Sequence, residues 1–310
     1  MSTQHDPTQL RPAIGVIGGS GLYAMSGVTD LVEVIVDTPF GAPSDALLIG
    51  RVDDVPVAFL PRHGRGHRVP PHAINYRANL WAMKSVGVSR IFSVSAVGSL
   101  REDIAPGDLV LVDQFIDRTR NRPSTFLEDG VVGHVSIADP VCPVGRALLL
   151  DAGRAVAAST PFQLHDGGAY VCIDGPAFST RAESHMFRSW GASVVGMTNL
   201  PEARLAREAE IGYATLAMAT DYDCWHPDHD HVTVDAVIAV MKANVANAQA
   251  VLRHAIKAAA TAAPSPAWRA LDNAIMTVPS LIPAATRARL APILARLASP
   301  GGPLHMENAP

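Results

Sequence analysis

The stretch Tyr213-Ala-Thr-Leu-Ala-Met-Ala-Thr-Asp-Tyr-Asp-Cys-Trp225 joins an apolar run to two aspartates that are one residue apart. The run from Tyr213 to Met218 predicts a buried strand. If the strand continues, side chains at i and i+2 point to the same face, and Asp221 and Asp223 converge at the edge of an apolar core. Two carboxylates that close cannot both ionise cheaply, so we expect one to keep a proton near neutral pH.

A protonated carboxyl group beside a carboxylate offers one hydrogen-bond donor and one acceptor. These match the Hoogsteen edge of adenine, where N7 accepts a hydrogen bond and the 6-amino group donates one. Two solvated aspartates that cap the following segment would give the same pattern. The rest of the sequence has to decide between these two interpretations.

The composition is that of a globular protein. Of 310 residues, 48% are hydrophobic and 17% are charged, and the formal net charge is −4. This balance argues against a nucleic-acid surface, which needs clustered Lys and Arg, and no run is apolar for long enough to form a membrane helix. The first residues lack the apolar segment of a signal peptide, which predicts a cytoplasmic protein. The spacing of Cys142, Cys172 and Cys224 matches no metal motif and predicts free, buried thiols.

Short runs rich in Val and Ile alternate with helical patterns, which predicts an α/β protein. The predicted strands span residues 14–17, 46–49, 55–60, 90–95, 108–112, 169–173, 194–197 and 213–218, and the predicted helices span residues 75–86, 144–158, 181–190, 201–211 and 234–259. We predict a flexible N-terminus (1–12), one domain (13–260) and a helical extension (261–310) that packs on the same domain or on a neighbouring subunit. Residues from Ser299 onward are expected to be frayed.

The glycine-rich loop Gly15-Val-Ile-Gly-Gly-Ser-Gly-Leu-Tyr23 follows the first predicted strand. Its backbone N–H groups can approach an anion closely, and the Ser20 hydroxyl adds a donor. A G-x-G-x-x-A pattern from Gly19, with Asp37 further on, also fits a dinucleotide-binding Rossmann fold. A parallel crossover needs a dozen or more residues, usually helical, whereas the segment around Gly27 is short and has no apolar period. We therefore disfavour the dehydrogenase interpretation.

Cations and hydroxyl groups follow other predicted strands. In Phe59-Leu-Pro-Arg-His-Gly-Arg-Gly-His-Arg68, Arg62 can fork two N–H bonds onto a phosphate or carboxylate, and His63 can donate one more. A solvated basic loop is the alternative. Ser95 and Thr198 end two further strands, and open α/β sheets bind ligands beyond the carboxyl ends of their strands. The sequence therefore predicts an anion site at this edge of the sheet.

The segment His226-Pro-Asp-His-Asp-His231 alternates potential metal ligands. The same residues suit a mobile, charged loop that gates a neighbouring active site, and we favour that role. No metal is predicted.

Together these segments resemble the purine nucleoside phosphorylase family, and most closely its S-methyl-5′-thioadenosine phosphorylase branch, over residues 14–256. The motifs that carry the resemblance are Gly18-Gly-Ser-Gly-Leu, Asp37-Thr-Pro-Phe-Gly, Arg62-His-Gly, Asn75-Tyr-Arg-Ala-Asn, Gly98-Ser-Leu-Arg-Glu, Asp113-Gln-Phe-Ile-Asp-Arg-Thr, Gly175-Pro-x-Phe-Ser-x-Arg-x-Glu-Ser, Gly196-Met-Thr-x-x-Pro-Glu and Ala219-Thr-Asp-Tyr-Asp-Cys-Trp. The chain departs from the family at Asp174, where Glu is common, and at Ala177, where Arg is usual.

The resemblance implies a single-domain nucleoside phosphorylase fold, with a twisted mixed central β-sheet flanked by helices. The residues that it implies for phosphate binding are Ser20, Arg62, His63, Ser95, Ala96 through its backbone N–H, and Thr198. For the nucleoside they are Met197 against the ribose, Phe178, Ser179, Asp221 and Asp223 at the base, Ser179 and Val234 in substrate choice, and His134 and Leu281 at the methylthio group. The last two would come from a neighbouring subunit of a homotrimer, or of a dimer of trimers.

The implied reaction is phosphorolysis of S-methyl-5′-thioadenosine to adenine and 5-methylthioribose 1-phosphate, within purine and methionine salvage. Phosphate is a co-substrate and no cofactor is needed. Asp221, Asp223 and His63 are the implied catalytic residues, with Asp221 favoured as the proton donor to N7. The alternatives are a phosphorylase for 6-oxopurine nucleosides such as inosine, guanosine or methylthioinosine, a hydrolytic nucleosidase, and a sensor that binds the nucleoside without turnover.

Overall fold

The computed structural model describes residues 11–19, 21–227 and 234–305, without the side chains at 23 and 234–239. Ser20, the Val234 side chain, the predicted flexible residues 1–10 and most of the histidine–aspartate segment lie outside the described residues. The strands are β1 Ile14–Gly18, β2 Val28–Val34, β3 Leu47–Val52, β4 Val55–Pro61, β5 Arg90–Ser99, β6 Leu109–Leu111, β7 Gln114–Arg118, β8 Leu164–Asp166, β9 Ala169–Ile173, β10 Ala192–Gly196 and β11 Gly212–Asp221. The α-helices are α1 Tyr76–Ser85, α2 Pro143–Ala157, α3 Arg181–Ser189, α4 Asn199–Glu208, α5 Val234–Ala259, α6 Ala284–Arg289 and α7 Ala291–Ala298.

The strands form one mixed sheet in the order β2-β3-β4-β1-β5-β10-β9-β7, and a second branch joins β11, β6 and β8 to β5. Parallel pairs such as β1–β4 and β5–β11 occur beside antiparallel pairs such as β3–β4 and β5–β10. Helices cover the sheet and bury its apolar residues in two large clusters. The predicted α/β fold with a mixed central sheet is confirmed.

Strand β5 is the branch point of the sheet. Its first half pairs with β1, from Ile14↔Arg90 to Ile17↔Ser93, and its end pairs with β10 through Val195↔Gly98. Strand β11 follows β5 along its other edge as far as Asp221. The ends of β1, β10 and β11 therefore meet around the second half of β5.

Three strands were missed by the sequence patterns. β2 and β7 each have a single partner at opposite ends of the main sheet order, and β8 is only three residues long, so none carries the apolar signal of a central strand. The strand after the glycine-rich loop, β2, pairs with β3 at the edge of the sheet, whereas β1 pairs with β4 and β5, so β1 and β2 are not the adjacent parallel strands of a βαβ unit. This confirms our rejection of the Rossmann interpretation. The three cysteines are free, as predicted; Cys142 and Cys172 are also buried as predicted, whereas Cys224 is half-buried.

The C-terminal segment packs against the sheet-covering helices. Ile293, Leu294 and Leu297 of α7 lie in the larger apolar cluster, and the Trp81 indole donates to the carbonyl of Arg289 at 2.9 Å. The expectation of fraying from Ser299 is wrong as far as Leu304, whose side chain is buried. Within the residues described, no helix combines the length and apolar character that a membrane span requires.

Candidate active site

The carboxylate pair forms at the end of β11, but not as a continued strand. The strand ends at Asp221, and Asp223 lies in the following turn with φ 51°, a left-handed conformation that aspartate tolerates better than most residues. The backbone N–H of Asp223 donates to Asp221 Oδ1 at 2.8 Å, and the Thr220 hydroxyl lies 2.7 Å from Asp221 Oδ2. The turn therefore brings the two carboxyl groups together, where we had predicted a strand pleat.

Burial raises the pKa of both carboxyl groups above the ordinary range. The Thr220 hydroxyl and the Asp223 N–H partly oppose this effect at Asp221. At Asp223 the Ser184 hydroxyl opposes it, while the neighbouring carboxylate of Asp221 adds to it. The shift has the sign that a shared proton requires.

Two serine hydroxyls lie beside the Asp223 carboxyl group. Asp223 Oδ2 and the hydroxyls of Ser179 and Ser184 are buried and make no hydrogen bond of good geometry among the described residues, although both hydroxyls are close enough to oppose the rise in the pKa of Asp223. Buried polar groups without partners are uncommon in native proteins and cost free energy, so these atoms define a position where a polar ligand is favourable. The Cys224 thiol donates to the carbonyl of Ser179 at 3.2 Å, which ties the two segments together.

The aspartate turn is anchored on β5. The Trp225 indole N–H donates to the carbonyl of Ser99 at 2.8 Å, and the Arg188 guanidinium carbon lies 3.3 Å from the centre of the Trp225 ring. On the other side, Gly98 pairs with Asp221 across the strands. A Cβ atom at Gly98 would lie 3.0 Å from Asp221 Oδ1 and 3.2 Å from Asp223 Cβ. Glycine at this position leaves room for both carboxyl groups.

Substitution Gly98→Ala is therefore expected to displace the carboxyl pair. We expect kcat for nucleoside cleavage to fall by about 10–100-fold, because displacements of an ångström at a reacting centre have effects of this size. Gly15→Ala is the matched control, since its Cβ would be equally crowded, 3.0 Å from Val88, in a strand that begins at the opposite end of β5. Steady-state kinetics of both variants, with their melting temperatures, test this; equal kcat values would contradict it.

Arg62 directly follows β4 and is buried, with 2% of its surface exposed. Its Nε and Nη2 donate to the two carboxylate oxygens of Glu202 at 2.8 and 2.9 Å, and Nη1 donates to the carbonyl of Val94 at 2.8 Å. Nη2 also lies 2.6 Å from Ser93 Oγ and 3.3 Å from the carbonyl of Ile17. The fork that we predicted for an anion is thus occupied by Glu202, because a guanidinium buried this deeply needs a counterion. One Nη1 hydrogen has no acceptor among the described residues.

His63 lies in the turn after Arg62. Its Nδ1 is 2.9 Å from the carbonyl of Val69, and because a carbonyl only accepts, Nδ1 carries the proton. Burial lowers the pKa of His63 to about 4, and the cationic Arg62 acts in the same direction. The ring is neutral at pH 7, so its Nε2 is an acceptor. The predicted donation from His63 to an anion would require protonation of the ring; a protonated phosphate oxygen could instead donate to Nε2.

This low pKa predicts a pH dependence of stability. Below pH 6.5, the ordinary value, an unfolded chain binds a proton at His63 that the folded chain does not bind until about pH 4. Acidification from pH 6.5 to about pH 4 therefore favours unfolding. The contribution of the neutral His63 to the free energy of unfolding is fully present only above pH 6.5. We expect the wild type to lose more stability than His63→Asn between pH 6.5 and 4, since the Asn amide can replace Nδ1 without titrating. Urea titrations of both proteins at pH 6.5 and at pH 4 test this prediction. An equal loss of stability in the two proteins would refute it.

Two hydroxyl groups face each other beside β5. Ser95 Oγ and Thr198 Oγ1 are 3.1 Å apart, and both residues are buried. The Tyr170 hydroxyl lies 3.3 Å from Ser95 Oγ and accepts from the Thr198 N–H at the same distance. A Cβ atom at Gly196 would lie 2.0 Å from the Tyr170 hydroxyl, so only glycine fits there. Ala96, whose N–H is a predicted phosphate donor, follows Ser95 in β5.

The predicted base and ribose residues lie on two loops that touch. Phe178, 48% exposed, belongs to the loop after β9, and Met197 follows β10. A Cβ atom at Gly175 would lie 2.4 Å from Met197 Sδ. Phe178 and Ser179 also line an open cleft with Arg118 and Arg120.

His134 and Leu281 lie on two segments that pair with each other. The His134 N–H donates to the carbonyl of Ala274 at 2.9 Å, and Gly133 bridges Ile275. Leu281 is 71% exposed on the second segment. The segments that carry the two predicted residues are therefore joined through residues 132–134 and 274–276.

Sequence reasoning missed several polar residues beneath the site. Glu202 stood in a quoted motif without a role, yet it is fully buried and also accepts a hydrogen bond from the Tyr213 hydroxyl at 2.8 Å. The helix that carries it also contains Arg204, Arg207 and Glu208, so its composition gave no signal that Glu202 is buried. Tyr170 in a buried strand gave none. Within the part of the chain that is described, no group of three His, Cys, Asp or Glu residues could hold a metal ion.

Comparisons with known proteins agree with this geometry. Residues 13–257 match the model of the phosphorylase superfamily. The S-methyl-5′-thioadenosine phosphorylases of Geobacter sulfurreducens and Thermosynechococcus vestitus are each 55% identical, over 91% of this chain and 97% and 98% of theirs.

Solved structures give the same result. A methylthioadenosine phosphorylase from an Antarctic soil metagenomic library superposes with a TM-score of 0.87 at 48% identity, covering 91% of this chain and 99% of its own. The methylthioadenosine phosphorylase of Schistosoma mansoni in complex with adenine gives a TM-score of 0.77 at 36% identity, covering 92% and 98%. The chain belongs to the phosphorylase superfamily and, within it, to the S-methyl-5′-thioadenosine phosphorylases.

Proposed function

We propose that the protein catalyses phosphorolysis of S-methyl-5′-thioadenosine to adenine and 5-methylthioribose 1-phosphate, as a step of purine and methionine salvage in the cytoplasm. The observation that carries the proposal is the buried carboxyl pair Asp221 and Asp223 beside β5, where the hydroxyls of Ser95 and Thr198 also lie. The identity of the chain to phosphorylases named for this substrate supports it.

In the proposed reaction a phosphate oxygen forms a bond to C1′ while the C1′–N9 bond breaks and leaves its electron pair on the purine. The ribosyl centre becomes cation-like and is stabilised by the adjacent phosphate. Charge that accumulates on adenine is relieved by a proton from the carboxyl pair to N7, and the remaining carboxylate accepts from the 6-amino group. The raised pKa of both aspartates supports this assignment.

Phosphate would lie among Arg62, His63, Ser95, Ala96 and Thr198, with Ser20 in the glycine-rich loop. The nucleoside would contact Met197, Phe178, Ser179 and Val234. The buried hydroxyl of Ser179 and Oδ2 of Asp223, which make no hydrogen bond of good geometry among the described residues, support a polar base edge at this position.

The test is phosphate-dependent release of adenine from S-methyl-5′-thioadenosine, compared with adenosine and inosine. We expect turnover that requires phosphate and yields a sugar 1-phosphate. Turnover without phosphate would identify a hydrolase, and preferred cleavage of inosine would identify a 6-oxopurine phosphorylase. Binding without turnover would identify a sensor.

We further propose a homotrimer in which His134 and Leu281 reach a neighbouring active site. An exposed apolar surface supports this: Val132, Met276, Val278 and Leu281 are 51%, 66%, 57% and 71% exposed on adjacent segments. Surfaces of this kind commonly form interfaces. Sedimentation equilibrium is expected to give three times the chain mass, or six times for a dimer of trimers, and a monomer would contradict the proposal.

A further inference from the structure

Arg122 is buried between the two loops that carry the predicted nucleoside contacts. Its side chain is 3% exposed. On one side Nη2 donates to the carbonyl of Asp174 at 2.8 Å and lies 3.3 Å from that of Ile173. On the other side Nη1 donates to the carbonyls of Met197 and Leu200 at 2.9 and 2.7 Å. One guanidinium thus joins the loop after β9 to the loop after β10.

Each loop also has an anchor of its own at the site. The loop after β9 is tied to the aspartate turn by the bond from the Cys224 thiol to the Ser179 carbonyl. The loop after β10 is tied to the phosphate-side hydroxyl of Ser95 through Thr198. Arg122 therefore provides a further connection, between the base half and the ribose–phosphate half.

The surroundings hold Arg122 in one orientation. Its Nε is buried without a hydrogen-bond partner, 3.4 Å from Asp174 Oδ1, and its guanidinium lies over the Tyr76 ring at 5.3 Å. The Tyr76 hydroxyl is 3.1 Å from Nη1. A planar guanidinium can donate from both edges simultaneously, whereas a lysine ammonium is a point donor that cannot reach both loops.

We propose that Arg122 is a positioning residue that sets the spacing between bound base and bound phosphate. The inference rests on the proposed function, and it concerns a buried residue that is not among the predicted substrate contacts. In-line attack on C1′ requires the two halves at near-contact distance, so their spacing affects the reaction of the nucleoside with phosphate more than the separate binding of adenine or of phosphate.

The test compares wild type with Arg122→Met in three measurements: kcat/KM for S-methyl-5′-thioadenosine, the affinity for adenine alone, and the affinity for inorganic phosphate alone. We expect kcat/KM to fall by about 10²-fold, while both separate affinities stay within about threefold of the wild type. A merely structural role would lower all three together. Arg90→Met is the matched control, because Arg90 is also buried and donates to a backbone carbonyl, at the opposite end of β5.

Arg122→Lys provides a second variant, which keeps a cation beside Asp174. It is expected to give the same pattern of results, a lower kcat/KM with unchanged affinities for adenine and for phosphate. The inference is overturned if kcat/KM stays within about threefold of the wild type, if both fragment affinities fall as far as kcat/KM, or if neither variant folds. Absence of phosphorolysis in the wild type would instead refute the proposed function, before any variant is compared.

Discussion

Replacing Asp223 with Asn is expected to lower kcat/KM for S-methyl-5′-thioadenosine by about 10²–10³-fold, the range for loss of a proton donor or acceptor at a reacting centre. The buried carboxyl pair shares a proton in our proposal, and an amide cannot take part in that exchange. The amide can, however, donate to a 6-oxo group, which an ionised Asp223 would repel. The preference for methylthioadenosine over methylthioinosine should therefore narrow.

The fold should survive this substitution. Asp223 has φ 51°, and Asn adopts that conformation as readily as Asp. Asp54→Asn is the matched control, because Asp54 has φ 69° in the exposed turn between β3 and β4. Rates for both nucleosides should be measured for each variant. An unchanged preference in Asp223→Asn would refute the proposed recognition of the base.

Replacing Arg62 with Met should have the largest effect on stability. Glu202 is fully buried and accepts two hydrogen bonds from Arg62, at 2.8 and 2.9 Å. Removing one partner of a buried ion pair leaves the other charge uncompensated, at a cost of about 3–5 kcal/mol in the free energy of unfolding. Urea titration measures this cost, and phosphate kinetics on the same variant measure the role of Arg62 at the active site.

The double variant Arg62→Met/Glu202→Gln separates the two roles. Because Gln removes the uncompensated charge, it should be more stable than Arg62→Met alone. The Michaelis constant for phosphate should be higher than that of the wild type in both the single and the double variant, since neither has a cation at position 62. If the single variant is destabilised but binds phosphate normally, Arg62 supports the sheet ends only, and its predicted contact with phosphate is wrong.

Most of the architecture was accessible from the sequence, because apolar runs and helical periods report burial directly. Residues 169–173 and 234–259 have the predicted bounds, and the strand before Asp221 was expected. Edge strands such as β2 were not, since an exposed strand needs no apolar pattern. The branching of the sheet at β5 follows from pairing between distant segments, which local patterns do not encode.

The sequence predicted which types of residue the site contains, but it did not predict how their side chains are arranged. Local sequence placed Asp223 on a strand, whereas the structure places it in a left-handed turn. It left Arg62 free for an anion, whereas Glu202 occupies its fork from 140 positions away. Nothing near Arg122 indicated that its acceptors are carbonyls on two other loops. Contacts of this kind depend on tertiary packing.

Strand β5 pairs with β11 along nearly its whole length on one edge, and on the other edge with β1 at its beginning and with β10 at its end. A mutant library for altered substrate preference should therefore leave residues 90–99 unchanged. It should randomise the loop after β9, whose exposed residues such as Phe178 can change without disturbing the strand pairing of β5. An insertion or a circular permutation near the middle of β5 would separate the part of the strand that pairs with β1 from the part that pairs with β10.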